Sequence, residues 1–261
     1  MRVRVTVSEI RIACRSMELF RFHLEGGRVI PPTGRIPGTL FHDQIAEPLM
    51  HALREGTFPG ALEAIYEALP DVLEVNRELE TLLHENILNP WLQGNGRKLD
   101  TEQVFGLTEA TTRLATELAE ILSSFARPPN PDDIRHWILP PETTHEADLV
   151  LPDGPDLHIV GRFDGVLMDP ATGRVFIFDY KCKTDAQATA DFLQLALYAD
   201  LLARSTGLSA EGLVLYLGEN GGTVHLPAAE LDEMAHSSET MEFLAQVRRE
   251  LLAKGREVTS T

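Results

Sequence analysis

The stretch HIVGRFDGVLMDPATGRVFIFDYKCKTD, residues 158–185, decides how this chain is to be read. Two runs rich in β-branched and aromatic residues, 158–168 and 174–180, flank the turn-forming DPATGR, a pattern that predicts a pair of strands. Each run carries one carboxylate: Asp164 lies on the first and Asp179 closes the second. Lys181 follows two residues after Asp179, and in a strand residues i and i+2 point to the same side. Asp179 and Lys181 therefore share a face, and a turn at 169–173 would fold the runs into a hairpin that brings Asp164 to it. Two neighbouring carboxylates form a hard-oxygen site suited to Mg2+ or Mn2+. An ammonium beside them can orient or deprotonate a water, or stabilise charge on phosphate oxygens, as phosphodiester hydrolysis requires. A lone D-x-K is usually an Asp and a Lys at the surface end of a strand. Here it follows the aliphatic VFIF and stands behind a second Asp-bearing strand, which favours chemistry.

Working outward, residues 186–206 predict an amphipathic helix ending at Gly207, with Gln194 and Tyr198 four apart on one face. A buried strand at 212–217, an edge strand at 223–226 and a charged helix over 228–254 complete the C-terminal part. Upstream of the quoted stretch lies another short strand, 145–151. Before that the pattern is helical: 39–55, 61–69, 71–88 up to Asn89-Pro90, and a long helix over 101–125 with Leu107, Leu114, Leu118, Ile121 and Leu122 on one face. The N-terminus alternates Val3, Val5 and Val7, then predicts a helix from Ser8 to His23 and a Gly/Pro-rich turn region. Together these predict an α/β core over 141–261, a helical subdomain over 43–140, and an N-terminal strand and entry helix over 1–42 packed on the core.

Composition narrows the class. A chain of 261 residues can bury one sizeable core, and no apolar run reaches the length of a membrane span. The N-terminus has no continuous apolar segment of the signal-peptide kind, so a cytoplasmic protein is expected. The two cysteines, Cys14 and Cys182, are too few for a disulfide framework or a closed thiolate metal site. The net charge of −17 argues against an autonomous binder of long duplexes, since phosphate contacts dominate nucleic-acid affinity. Arg11, Arg15, Arg21, Arg162, Lys181 and Lys183 could still form a local basic path. A helicase or translocase, or self-assembly, could supply the remaining grip.

The residues above resemble the RecB-like branch of the PD-(D/E)xK nuclease superfamily, which includes the RecB and AddB nuclease domains and the CRISPR-adaptation nucleases. That branch reads G-x-x-D, then D-Y-K, then Q-x-x-x-Y, as do Gly161 to Asp164, Asp179-Tyr180-Lys181, and Gln194 with Tyr198 here. SEIRIACRSMELFRF is similar to its entry helix, GTLFHDQIAEPL to its G-x-x-x-H motif, and Glu146 of HEADLVL to an acidic residue on the first core strand. The resemblance spans residues 8–217. It implies a restriction-endonuclease-like core, a mixed β-sheet flanked by helices, with the helical subdomain placed before it. It further implies His42, Asp164 and Asp179 as ligands of Mg2+ or Mn2+, the imidazole suiting Mn2+ better, and Lys181 as the catalytic cation. Gln194 and Tyr198 would lie on the substrate side. Glu146 would stand behind the ligands or serve a second ion, and Lys183 is either a second phosphate contact or solvent-facing. The chain departs from cluster-bearing relatives: only Cys14 matches one of their four iron–sulfur cysteines, which excludes a cluster on ligand count.

The expected activity is metal-dependent cleavage of DNA, from an end or on single strands, in repair, recombination or genome defence. The alternative is a non-catalytic nucleic-acid-binding or scaffold subunit of a helicase–nuclease complex. The intact Asp164, Asp179 and Lys181 speak against that alternative, because clustered carboxylates repel and cost stability unless they are used.

Overall fold

A computed structural model describes residues 2–29, 38–58, 60–139, 144–182, 188–218, 221–256 and 258–259. Strand β1 (Arg2–Thr6) leads directly into α1 (Val7–Arg15), whose start is set by a capping box. Thr6 Oγ1 accepts from the Glu9 backbone N–H at 3.1 Å, and the Glu9 carboxylate accepts from the Thr6 N–H at 2.8 Å. The predicted single helix from Ser8 to His23 is two helices, because Ser16 turns extended and caps α2 (Met17–Leu24) through the Leu19 N–H.

The helical part comprises α3 (Gly38–Phe41), α4 (Glu47–Glu55), α5 (Ala61–Ala68), α6 (Val72–Thr81), α7 (Asn89–Asn95) and α8 (Thr101–Ser124). A π-turn, His42–Ala46, joins α3 to α4, and a second, Leu82–Leu88, joins α6 to α7. The expected stop at Asn89-Pro90 is therefore absent. The helical backbone instead runs on through Leu88 and Asn89, and Pro90 lies within it near the start of α7.

Strands β2 (Thr144–Leu149), β3 (Asp156–Arg162), β4 (Gly165–Met168) and β5 (Val175–Lys181) follow, then α9 (Ala188–Thr206), β6 (Glu211–Tyr216) and β7 (Thr223–Leu226). Helices α10 (Ala228–His236) and α11 (Ser238–Ala253) replace the predicted single helix over 228–254, with Ser237 capping the second through the Thr240 N–H. A short β8 (Val258–Thr259) comes last.

The strands form two four-stranded mixed sheets, ordered β2-β3-β1-β8 and β4-β5-β6-β7. The predicted run 158–168 is thus split: β3 belongs to one sheet and β4 to the other, and Phe163 and Asp164 make the crossing. Asp164 lies at this junction, not within a strand as the sequence suggested.

The β4-β5-β6 wall separates two apolar cores. On one face Leu167, Phe176, Phe178, Tyr180, Leu213 and Leu215 pack with the helical part, including Phe41, Leu49, Leu114 and Trp137. On the other, Val166, Val175, Ile177, Val214 and Tyr216 pack with α9, α10, α11 and the β1-α1 unit. Strict alternation along β5 sends Asp179 and Lys181 to the α9 side.

Candidate active site

Asp179 and Lys181 end a strand buried on both sides, with residue exposures of only 1% and 7%. Ions so enclosed persist only when paired. The Lys181 ammonium makes an ion pair with Asp179 Oδ2 and donates to Gln194 Oε1 at 2.9 Å. Gln194 Nε2 in turn donates to the Tyr198 hydroxyl at 3.2 Å. The i, i+4 spacing on α9 thereby fixes the lysine from behind. Tyr198 is seated against Gly161 of β3 and meets the ring of Phe163 edge-on at 5.2 Å.

Asp164 reaches the same place from the crossing between the sheets. Its Oδ2 accepts from the Tyr180 backbone N–H at 2.9 Å, which locks the carboxylate beside β5. Its Oδ1 lies 3.1 Å from His42 Nε2. The other ring nitrogen of His42, Nδ1, faces Asp43 Oδ1 at 3.2 Å and Glu47 Oε2 at 3.8 Å. The π-turn accounts for this last approach. Five residues on in an α-helix is about 140° around the axis, whereas a π-turn bonds residue i to i+5 and brings the pair to one side. Glu47 is itself held by Arg162, whose Nη2 donates to both carboxylate oxygens at 3.1 and 3.0 Å.

These contacts set the charges. Burial pushes the Asp179 carboxyl up, to about 6, against the pull of Lys181 and with a further push from Asp164. Burial acts the same way on Asp164, but the hydrogen bond and charge of His42, with Lys181 and the Tyr180 N–H, hold it below the usual range. Burial would lower His42, yet Asp164 outweighs it, and with Asp43 and Glu47 raises the imidazole to about 9.

The donor set fits a divalent cation. His42 Nε2 meets Asp164 and Asp179 Oδ2 meets Lys181 through ion pairs, and among the described residues neither buried atom has a further partner. Among the described residues the trio whose ligand atoms lie within 4.8 Å of one another is His42, Asp43 and Glu47, and Asp164 and Asp179 do not complete such a trio with His42.

His42, Asp164, Asp179, Lys181, Gln194 and Tyr198 thus form one connected set. Glu146 is tied elsewhere: its carboxylate meets His158 Nε2 at 3.3 Å on the exposed face of β2 and β3. Lys183 lies outside the described residues. Sequence reasoning missed Glu47, whose spacing from His42 is off-face for an α-helix. It also missed Asp191, fully buried on α9, which reads as an ordinary polar position until Arg11 arrives from the far end of the chain.

These side chains gather at the end of β5 in a mixed sheet. A model of the PD-(D/E)XK nuclease superfamily matches residues 5–260, and the chain belongs to that superfamily. It is therefore a nuclease by family, with the restriction-endonuclease-like α/β fold, in a group whose members use divalent metals. Among solved structures it is similar to a protein from Eubacterium rectale titled "Putative exonuclease", with 14% identity, a TM-score of 0.44, and coverage of 97% of this chain and 82% of that one. It is also similar to a protein titled SSO0001, with 14% identity, a TM-score of 0.29, and coverage of 60% and 70% respectively. No curated protein matches the chain.

Proposed function

We propose that this protein is a RecB-like, Mg2+- or Mn2+-dependent deoxyribonuclease that cuts single-stranded DNA or DNA ends, in repair, recombination or genome defence. His42, Asp164 and Asp179 hold the ion and Lys181 is the catalytic cation. The observation that carries this reading is the convergence of these four side chains from three separated segments, with Lys181 fixed by Gln194 and Tyr198. When bound, a divalent ion supplies an activated water and neutralises charge on the phosphate. The protein's own groups do the positioning. The Tyr180 N–H fixes one oxygen of Asp164. An ammonium has three donors; among the described residues those of Lys181 serve Asp179 and Gln194, and the third is assigned to a phosphate oxygen or the attacking water.

Degradation of a labelled oligonucleotide with Mn2+, and its loss in chelator, tests the activity. Asp164→Ala and Asp179→Ala should lose both cleavage and calorimetric Mn2+ binding. Lys181→Ala should lose turnover by orders of magnitude yet still bind Mn2+, because an ammonium is no ligand. Near wild-type cleavage by Lys181→Ala would refute its role, and unchanged Mn2+ binding in both aspartate variants would refute the metal assignment.

A further inference from the structure

We infer that Arg15, steadied by the Arg11–Asp191 pair, receives the backbone phosphate of the DNA strand next to the one being cut. The inference rests on the nuclease reading above and assigns that site a substrate contact.

Asp191 sits in the first turn of α9, three residues before the Gln194 that holds Lys181. Its side chain is fully buried and takes two N–H groups of Arg11, Nε at 3.0 Å and Nη2 at 2.8 Å, on one oxygen. The other oxygen accepts from the Tyr216 hydroxyl at 3.3 Å, and Tyr216 is the register partner of Lys181 on β6. Two routes therefore tie Asp191 to the catalytic lysine, and Arg11 lies near enough to act on Asp179.

Arg15 follows Arg11 by four residues on α1, one helical turn or about 5.4 Å farther along. Like charges at this spacing repel, and the charge of Arg11 does weigh against that of Arg15. Burial weighs most against the Arg15 charge, and Asp191 offsets part of that loss without an ion pair to Arg15. Among the described residues Arg15 has no ion pair, and its Nε is buried with no hydrogen-bond partner. The other arginines considered for a basic path are engaged: Arg21 with Glu250, Arg162 with Glu47, and Arg11 with Asp191. Arg15 as a residue is partly exposed beside a like charge, and an anion brought to its accessible edge relieves the repulsion. Arg15 stands one turn from Arg11, whose charge acts on Asp179, and so borders the site rather than entering it. The planar guanidinium fork suits such an oxyanion.

The test pairs binding with cleavage. Fluorescence anisotropy of a labelled oligothymidylate, in chelator, should show Arg15→Ala weakening binding roughly tenfold. The salt slope should shrink by about 0.7, the value for one single-strand phosphate contact. Arg15→Lys should recover part of the loss. With Mn2+, the preference of the wild type for the oligomer over the dinucleotide TpT, which has no neighbouring phosphate, should fall about tenfold in Arg15→Ala. Unchanged affinity and slope would overturn the proposal, as would a loss that is equal on both substrates. If the wild type cleaves nothing, the nuclease reading fails while the anisotropy arm still decides Arg15.

Discussion

On the proposed ligand set, a cation must displace protons from His42 and Asp179. With His42 raised to about 9 and Asp179 to about 6, both carry protons at pH 5. Apparent Mn2+ affinity should therefore climb as Asp179 ionises near pH 6, then rise about tenfold per pH unit from 7 toward 9 as His42 gives up its proton. Calorimetric titrations from pH 6 to 8.5 would check this. His42→Ala should keep the lower limb and lose the upper, and an upper limb that survives the substitution would remove His42 from the site. Stability without metal follows the opposite course. His42 is raised in the fold, so its contribution is complete below its unfolded value near 6.5 and is lost as pH rises through about 9. Asp179 is also raised, so its ionisation costs stability between about pH 4 and 6. Asp164, held low, contributes above its unfolded value and loses that as pH falls. Much of this cluster was legible in the chain. Asp179 and Lys181 share a face by strand periodicity alone, which needs only local sequence. Glu47 was hidden because α-helical spacing puts it off the His42 face, and Asp191 because its partner Arg11 lies 180 residues away.

The misread helix boundaries have a common cause. Ser16 and Ser237 sit inside otherwise helical patterns, and each takes an extended backbone and caps the helix that follows. Composition and periodicity do not distinguish such a serine from a polar residue on a helix face. The crossing at Phe163 and Asp164 was hidden similarly, because one apolar run feeds two different sheets. Gly161, by contrast, was legible as a motif position, and the fold supplies its reason. A Cβ there would stand 2.8 Å from Cε1 of Tyr198 and 2.9 Å from Cδ1 of Leu201. Both neighbours are core side chains, so neither yields easily. Gly161→Ala should cost about 1–3 kcal/mol by overpacking and push Tyr198 off Gln194. A urea melt would report the cost as a lower midpoint at unchanged slope. A curve superimposing on the wild type would show that the ring gives way freely.

At the scale of the molecule, the proposed nuclease site sits on a chain of net charge −17. Surface arginines such as Arg21 and Arg162 are spent on carboxylates. The isolated protein should therefore bind DNA weakly, in the micromolar range or above, with affinity falling steeply as salt is added. Anisotropy titrations across potassium chloride concentrations test this. Nanomolar, salt-insensitive binding to duplex by a monomer would contradict it, whereas recovery of activity with a helicase or translocase would explain the acidity. The helical part and the sheet are not independent blocks, because the β4-β5-β6 wall completes the core on either side. That double duty makes β5 a reading frame. Phe176, Phe178 and Tyr180 are spelled in one register for the helices, and Ile177, Asp179 and Lys181 in the other for the chemistry. Slipping the strand by a single residue would exchange the two messages, burying carboxylate and ammonium among leucines while presenting phenylalanine to the substrate. The length of β5 between Val175 and Lys181 is therefore as constrained as the side chains it carries.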